Sequence, residues 1–296
     1  MIVCLTGEDL PLGQAISQRL RSGGIEVVGI ENALFIKSDK EVRDYLSALT
    51  PTDYIVHAAE LSWEQAEQNP ADAQKMNVHS CLLISDYARK CDAPLILVSS
   101  FMIFDGAKKN PYISANSGQP LNVYGRTKMD AEASLIENYP RSLLIRLGWL
   151  LDADRNSWLG KLLRQLLKGE TVVGYTNVKM SPTPVDDVAR VIDAILKQLN
   201  CGIDVWGIYH YAGTEPVTHE VLLRTIHYQA KGQDLLESQI VSDKYQPDNS
   251  QIKLPLNCVL GCIKLRNTFG IKQLPWRRYL PTLIEQQLKN QSTFSD

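Results

Sequence analysis

A tyrosine and a lysine four residues apart open a helical run: Tyr124-Gly-Arg-Thr-Lys128 leads into Met129-Asp-Ala-Glu-Ala-Ser-Leu-Ile-Glu137. That spacing is just over one helical turn, so the phenol and the ammonium share a face. A free phenol has a pKa of roughly 10 and is a poor acid-base group near neutrality. A lysine cation one turn away favours the phenolate and draws that pKa down. Upstream, Ala93-Pro-Leu-Ile-Leu-Val-Ser99-Ser100 is an apolar run too short for a helix, with its hydroxyls at the C-terminal end. Open parallel sheets bind ligands at that edge. Either feature alone is ordinary: most Tyr-x-x-x-Lys pairs are solvated helix faces, and a strand-end serine is usually a turn residue. Together, in this order, Ser100, Tyr124 and Lys128 supply a carbonyl-polarising hydroxyl, a proton donor and a cation. The chemistry they suit is hydride transfer with a nicotinamide.

The N-terminal elements fit that chemistry. Residues 2–6 form an apolar strand, and Gly7 follows. A helix comes next, with Leu12, Ile16 and Leu20 on one stripe, and Gly23-Gly24 ends it. Residues 25–30 form a second strand with Glu31 at its tip. This is a β-turn-α-β unit of dinucleotide-binding length. Gly7 and Gly13 would let the backbone approach a diphosphate. Glu31 would take the adenosine ribose, which slightly favours NAD(H) over NADP(H). Leu10 stands where a Gly-x-x-Gly-x-x-Gly turn has its middle glycine. Glu8 and Asp9 bring two carboxylates to the diphosphate position. Like charges ~5 Å apart cost about 3 kcal/mol at an effective dielectric of about 20, unless the side chains turn away. Asp9 is expected to cap the helix that begins at Pro11.

Further elements follow in order. Residues 32–36 read as a short strand and residues 41–49 as a helix. Residues 53–59 are a buried strand whose Ala58 and Ala59 leave room for a nicotinamide, and His57 is expected to bond a backbone group. Residues 70–90 are helical, with Asn77 as either a satisfied core amide or a holder of site water. Residues 107–122 are turn-rich, a lid over the site. Residues 143–149 form a strand that ends on Trp149. Beyond it lie a helix over 158–168, a rigid turn at 181–184 and a helix over 185–199. Then come a strand over 208–213, a helix over 217–230, an irregular polar stretch over 238–255 and a last helix within 270–287.

The bulk properties exclude several classes. The chain has 296 residues, 44% hydrophobic, with a formal net charge of −2. That suits a large α/β domain or a sheet domain with an appendage, and it argues against a nucleic-acid partner. No apolar run approaches the ~20 residues of a membrane span, and the start carries no signal pattern. The six cysteines are scattered. Cys4 and Cys81 look like core residues, and Cys258 with Cys262 has loose zinc spacing but no second pair, so no metal is expected. The expectation is a reduced, cytoplasmic protein.

The chain resembles the extended short-chain dehydrogenase/reductase family, and within it the dTDP-4-dehydrorhamnose reductase branch. The segments that carry the resemblance are Val98-Ser-Ser-Phe-Met-Ile-Phe-Asp-Gly106, Pro120-Leu-Asn-Val-Tyr-Gly-Arg-Thr-Lys128, Arg146-Leu-Gly-Trp149, Ser181-Pro-Thr183, Gly207-Ile-Tyr-His-Tyr-Ala-Gly213 and Lys264-Leu-Arg-Asn-Thr-Phe-Gly-Ile271, with Pro275-Trp-Arg277. The resemblance implies an α/β fold, a Rossmann-type doubly wound parallel sheet with a smaller α/β C-terminal substrate-binding part. Residues 1–150 would bind NAD(P), and residues 151–296 the substrate, partly interleaved with the first unit. It implies that Tyr124 protonates the substrate oxygen, Ser100 orients it, and Lys128 holds the nicotinamide ribose. Gly7, Gly13, Glu31 and Asn77 match cofactor positions, with Leu10, Ala58 and Ala59 beside them. Trp149 and Asn156 match sugar contacts. The branch typically carries Asp-Tyr where Phe101-Met102 stand here, which exchanges polar sugar contacts for apolar ones. The implied substrate is a nucleotide-sugar or a related carbonyl, and a homodimer is left open. Other outcomes on this scaffold are a sugar-nucleotide epimerase or a non-catalytic regulatory protein; the regulatory beta subunit of methionine adenosyltransferase resembles the same branch.

Overall fold

The computed structural model describes residues 1–230, 238–246 and 252–292. The strands in chain order are β1 (Ile2–Thr6), β2 (Glu26–Ile30), β3 (Tyr54–His57), β4 (Leu95–Ser100), β5 (Ser142–Leu147), β6 (Trp149–Leu151), β7 (Thr171–Tyr175), β8 (Lys179–Met180), β9 (Pro182–Pro184), β10 (Gly207–Tyr211), β11 (Val217–Thr218) and β12 (Gln239–Asp243). The helices are α1 (Pro11–Ser22), α2 (Asp39–Ala48), α3 (Trp63–Gln68), α4 (Pro70–Ala73), α5 (Ser80–Cys91), α6 (Val123–Asn138), α7 (Trp158–Leu167), α8 (Val185–Asn200), α9 (His219–Ala230), α10 (Ile263–Phe269) and α11 (Leu280–Ser292).

Six strands form one sheet in the order β10-β5-β4-β3-β1-β2, and every pair in it is parallel. Both faces are covered, so β4 and β5 are buried at every residue and read as continuous apolar runs rather than alternating ones. One face packs the α1 stripe of Leu12, Ile16 and Leu20 against Val188, Ile192 and Ile195 of α8. The other packs Val42 and Leu46 of α2 with Ile84 of α5 and Leu135 of α6. The sheet is the Rossmann-type, doubly wound α/β arrangement. A third core, beside the C-terminal edge of the sheet, joins Phe101, Met102 and Trp149 to Leu163, Leu223, Ile226 and Trp276.

Local structure departs from the sequence expectation in four places. Residues 32–36 are a 3-10 helix, not a strand. Leu34 and Phe35 are both buried, and adjacent strand residues would point to opposite faces. Pro182–Pro184 is a short strand, not a turn: it runs parallel to β6, and Trp149 N–H donates to the Ser181 carbonyl at 3.0 Å. The helix expected from Val217 begins at His219, because Val217 and Thr218 pair with β8. Within the stretch read as irregular, β12 adds to β7, while residues 247–251 lie outside the described residues. The periodicity also left α10 unread; Gly270 ends it at φ +67°, a conformation that suits glycine.

Candidate active site

The sheet reverses its winding between β1 and β3, and there the crevice opens. Gly7 turns the chain there with φ +69°, and a Cβ on it would lie 2.8 Å from the Ala58 carbonyl oxygen. A Cβ on Gly13 would lie 1.9 Å from the Gly7 carbonyl oxygen. Both positions therefore exclude a side chain so that the loop can fold onto α1 and β3. Leu10, not Asp9, is the N-cap of α1, and it gives no side-chain cap bond. The first turn holds no acid. Its amides thus face the crevice without a side-chain partner at the cap, the arrangement helix N-termini use for anions. The two acids have turned away. Glu8 accepts from Ser17 Oγ at 2.6 Å and pairs with Arg21 at 2.7 Å. Asp9 accepts the Asn32 N–H at 2.6 Å, beside exposed Glu31 at the tip of β2. The expected capping role of Asp9 is corrected accordingly.

Buried polar groups fix the end of β3. Ala58 and Ala59 donate their N–H groups to Thr6 Oγ1, each at 3.2 Å. Thr6 is 2.7 Å from His57 Nδ1, and His57 Nε2 is 3.0 Å from Ser80 Oγ. Ser80 in turn donates to the Met76 carbonyl. That chain of donors requires a proton on Nε2 and none on Nδ1. Burial, with the Lys128 charge nearby, pushes the His57 pKa down to about 3, so the ring stays neutral. His57 is structural, as expected, but its partners are hydroxyls rather than backbone. Asn77 resolves as a satisfied core amide. It sits in a π-helical turn, Gln74–His79, between α4 and α5. It accepts from Leu61 N–H and donates to Thr127 Oγ1, both at 2.9 Å.

Thr127 belongs to α6, so Asn77 helps set the helix that carries the tyrosine and lysine. The Asn122 side chain caps α6 on Gly125 N–H at 2.8 Å. One turn past Lys128, buried Glu132 takes a bidentate bond from Arg146 of β5 and a hydrogen bond from Ser99 of β4. These anchors hold α6 against the strands that deliver Ser100. Tyr124 and Lys128 are both buried. Lys128 Nζ is 5.7 Å from the Tyr124 ring centroid, 3.2 Å from the Val98 carbonyl oxygen and 2.6 Å from Glu60 Oε2. Tyr124 donates its proton to the same Glu60 oxygen at 2.9 Å. Burial and then the Glu60 charge raise the phenol well above its ordinary pKa, while the hydroxyl of Ser100 opposes them. Ser100 Oγ accepts the Met102 N–H at 3.2 Å.

Ser100, Tyr124 and Glu60 line one cavity of about 210 Å³ with Phe101, Met102, Trp149 and exposed Asn156. Phe101 stacks on Trp149, with ring centroids 5.7 Å apart. Trp63 and Trp158 meet the same indole edge-on. Trp149, Trp63, Trp158, Glu64 and Lys161 also wall a neighbouring cavity of about 530 Å³. Thus the sequence-derived catalytic and sugar-contact residues converge. Gly7, Leu10, Gly13, Ala58 and Ala59 gather at the adjoining switch point. Cys258 and Cys262 are buried thiols that face separate carbonyls, Pro255 and Leu260.

Two residues went unread. Glu60 was detectable as an acid directly after the ligand-edge alanines, yet an acid at a strand end is too common to signal contact with a distant helix. Asp152 also lines the first cavity. Burial pushes its pKa up to about 6. It follows β6, where the sequence pattern had loosened.

A parallel sheet with a Ser-Tyr-Lys set at its carboxyl edge defines a protein of the extended short-chain dehydrogenase/reductase class. The chain matches the family described as the RmlD substrate binding domain over residues 1–289, and it belongs to that family. Among curated relatives, dTDP-4-dehydrorhamnose reductase of Aggregatibacter actinomycetemcomitans is 28% identical over 94% of this chain and 97% of its own. Methionine adenosyltransferase 2 subunit beta of Danio rerio is 24% identical over 89% of this chain and 83% of its own. Among solved structures, a dTDP-4-dehydrorhamnose reductase of Clostridium acetobutylicum superposes with a TM-score of 0.85 at 20% identity, covering 96% of this chain and 99% of its own. A dTDP-4-dehydrorhamnose reductase of Bacillus anthracis in complex with NADP gives 0.84 at 19% identity, over 96% and 99%. These likenesses establish the shared fold.

Proposed function

We propose that the protein is an NAD(P)-dependent reductase that reduces the keto group of a nucleotide-sugar. The observation that carries this is the convergence of Ser100 and Tyr124 on one cavity, with buried Lys128 behind the phenol. Bound nicotinamide supplies the hydride. Tyr124 gives its proton to the substrate oxygen, Ser100 orients that oxygen, and Lys128 holds the nicotinamide ribose. The uncapped first turn of α1, with Gly7 and Gly13, holds the diphosphate. Leu10, Glu31, Ala58 and Ala59 flank the remaining cofactor, while Asn77 acts at one remove through Thr127 and Leu61. Exposed Glu31 with Asp9 on the Asn32 N–H makes a poor seat for a 2′-phosphate, so NAD(H) is preferred. The sugar meets Phe101, Met102, Trp149 and Asn156. This aromatic wall fits an apolar or deoxygenated sugar face. Residues 1–150 carry the cofactor and residues 151–296 most of the substrate pocket. The relatives named dTDP-4-dehydrorhamnose reductase support this activity class.

Steady-state reduction of keto nucleotide-sugars by NADH and NADPH tests the proposal, alongside cofactor titration. Failure of both cofactors to bind at millimolar concentration would overturn it. The relatives named methionine adenosyltransferase 2 subunit beta, together with Leu10 in the glycine turn, favour a second reading as a regulatory subunit. Stoichiometric capture of an enzyme partner, unaffected by Tyr124→Phe, would support that one instead.

A further inference from the structure

The acid after β3 has no part in the reductase reading, yet it touches both of that reading's key side chains. Glu60 Oε2 lies 2.6 Å from Lys128 Nζ and 2.9 Å from the Tyr124 oxygen. Its main chain is pinned. Asn32 Oδ1 accepts the Glu60 N–H and Asn32 Nδ2 donates to the Glu60 carbonyl, both at 2.9 Å. Asn32 is itself held through its own N–H by Asp9. The Glu60 side chain is 26% exposed, against 3% for Lys128. A fixed backbone therefore carries a carboxylate that can turn toward the open cavity, while the lysine cannot leave.

The argument rests on the proposed function, in which Lys128 binds a ribose diol and Tyr124 a carbonyl oxygen. Tyr124 has one proton to donate, and Glu60 accepts it. The same carboxylate balances the Lys128 charge that would otherwise act on the phenol. Both groups are thus engaged by one residue in the arrangement described above. We propose that Glu60 is a displaceable latch on the Tyr124–Lys128 pair, which the nicotinamide-ribose diol of the cofactor must push aside. No bond is made or broken in this exchange. The diol hydroxyls replace the carboxylate on Nζ, and the phenol turns its proton to the substrate. Glu60 is then a positioning residue that lowers cofactor affinity by the fraction of time it holds the pair.

NADH titration of the full chain by tryptophan fluorescence tests this, with wild type, Glu60→Gln and Glu60→Ala compared. Ultraviolet difference titration of the tyrosines supplies a readout that a merely structural role would not move. The expected result is roughly tenfold tighter NADH binding in Glu60→Gln, together with a phenolate that forms at lower pH than in wild type. Removing the carboxylate leaves Lys128 buried with Val98 as its remaining acceptor, so Glu60→Ala is the variant that risks the fold; the Gln variant keeps an acceptor and decides the question alone if needed. Unchanged or weaker NADH binding in Glu60→Gln overturns the latch and leaves the reductase reading standing. Absence of NADH binding in all three proteins overturns both.

Discussion

Gly125 of α6 packs so closely on the turn after β4 that a Cβ there would lie 2.1 Å from the carbonyl oxygen of Met102. This approach brings Tyr124, the residue before Gly125, to the cavity that Ser100 lines. A methyl group cannot be accommodated against backbone without moving the helix. Gly125→Ala is expected to lose about 1–3 kcal/mol of stability, the usual cost of overpacking. It should also lower turnover, because α6 carries both Tyr124 and Lys128. Urea denaturation and steady-state kinetics check the two effects; a variant with both values intact would contradict this account of the helix.

Tyr124→Phe removes the proposed proton donor and leaves the ring. Turnover should fall by ~10²–10⁴-fold, the range for a positioned general acid. NADH binding should persist, since Lys128 and the glycine turn are untouched. Stopped-flow single turnovers separate the two. A variant that retains full kcat would remove Tyr124 from the chemistry.

Asp152 should mark the pH profile of stability. Its carboxyl is raised from 3.8 to about 6 by burial, so the folded state binds the proton more tightly than the unfolded state. Folding is favoured by this group below the unfolded value, and that contribution is lost as pH rises through the folded value. The change is up to about 3 kcal/mol between pH ~4 and pH ~6. Asp152→Asn should flatten that part of the curve, measured by denaturation across the range. His57 acts with the opposite sign: its pKa is depressed to about 3, so its contribution is present above the unfolded value near 6.5 and lost as pH falls. Its ring resonances should not titrate between pH ~5 and pH ~8.

Cofactor choice follows from the tip of β2. Asp9 and Glu31 place negative charge where a 2′-phosphate would lie, so NADPH should bind several-fold more weakly than NADH. Asp9→Ser should narrow the gap by freeing the Asn32 N–H. Paired titrations by calorimetry give the ratio; tighter binding of NADPH by wild type would refute the assignment.

The strong periodic elements were legible because burial on both faces leaves a plain mark. The strands β1, β3, β4 and β5 and the α1 stripe show this. Ser100, Tyr124 and Lys128 were legible from order and spacing. What escaped depended on contacts distant in sequence. Glu60 meets Tyr124 across 64 positions, and no local pattern encodes that. Asp9 was read as a cap because it precedes a proline, but the helix takes its N-cap one residue later, and the carboxylate finds Asn32, 23 positions on. Residues 32–36 were misread because an apolar run of that length suits a strand, and only the need to bury Leu34 and Phe35 together selects the tighter helix.

The most direct measurement follows a hydride. Purified protein is mixed with NADH deuterated at the transferable position and a panel of keto nucleotide-sugars, and the products are examined by mass spectrometry. A sugar product that carries the deuterium at the former carbonyl carbon, absent in Tyr124→Phe, is the predicted result. Bound NADH with no label in any sugar, or no bound cofactor at all, would contradict the claim that this crevice performs reduction.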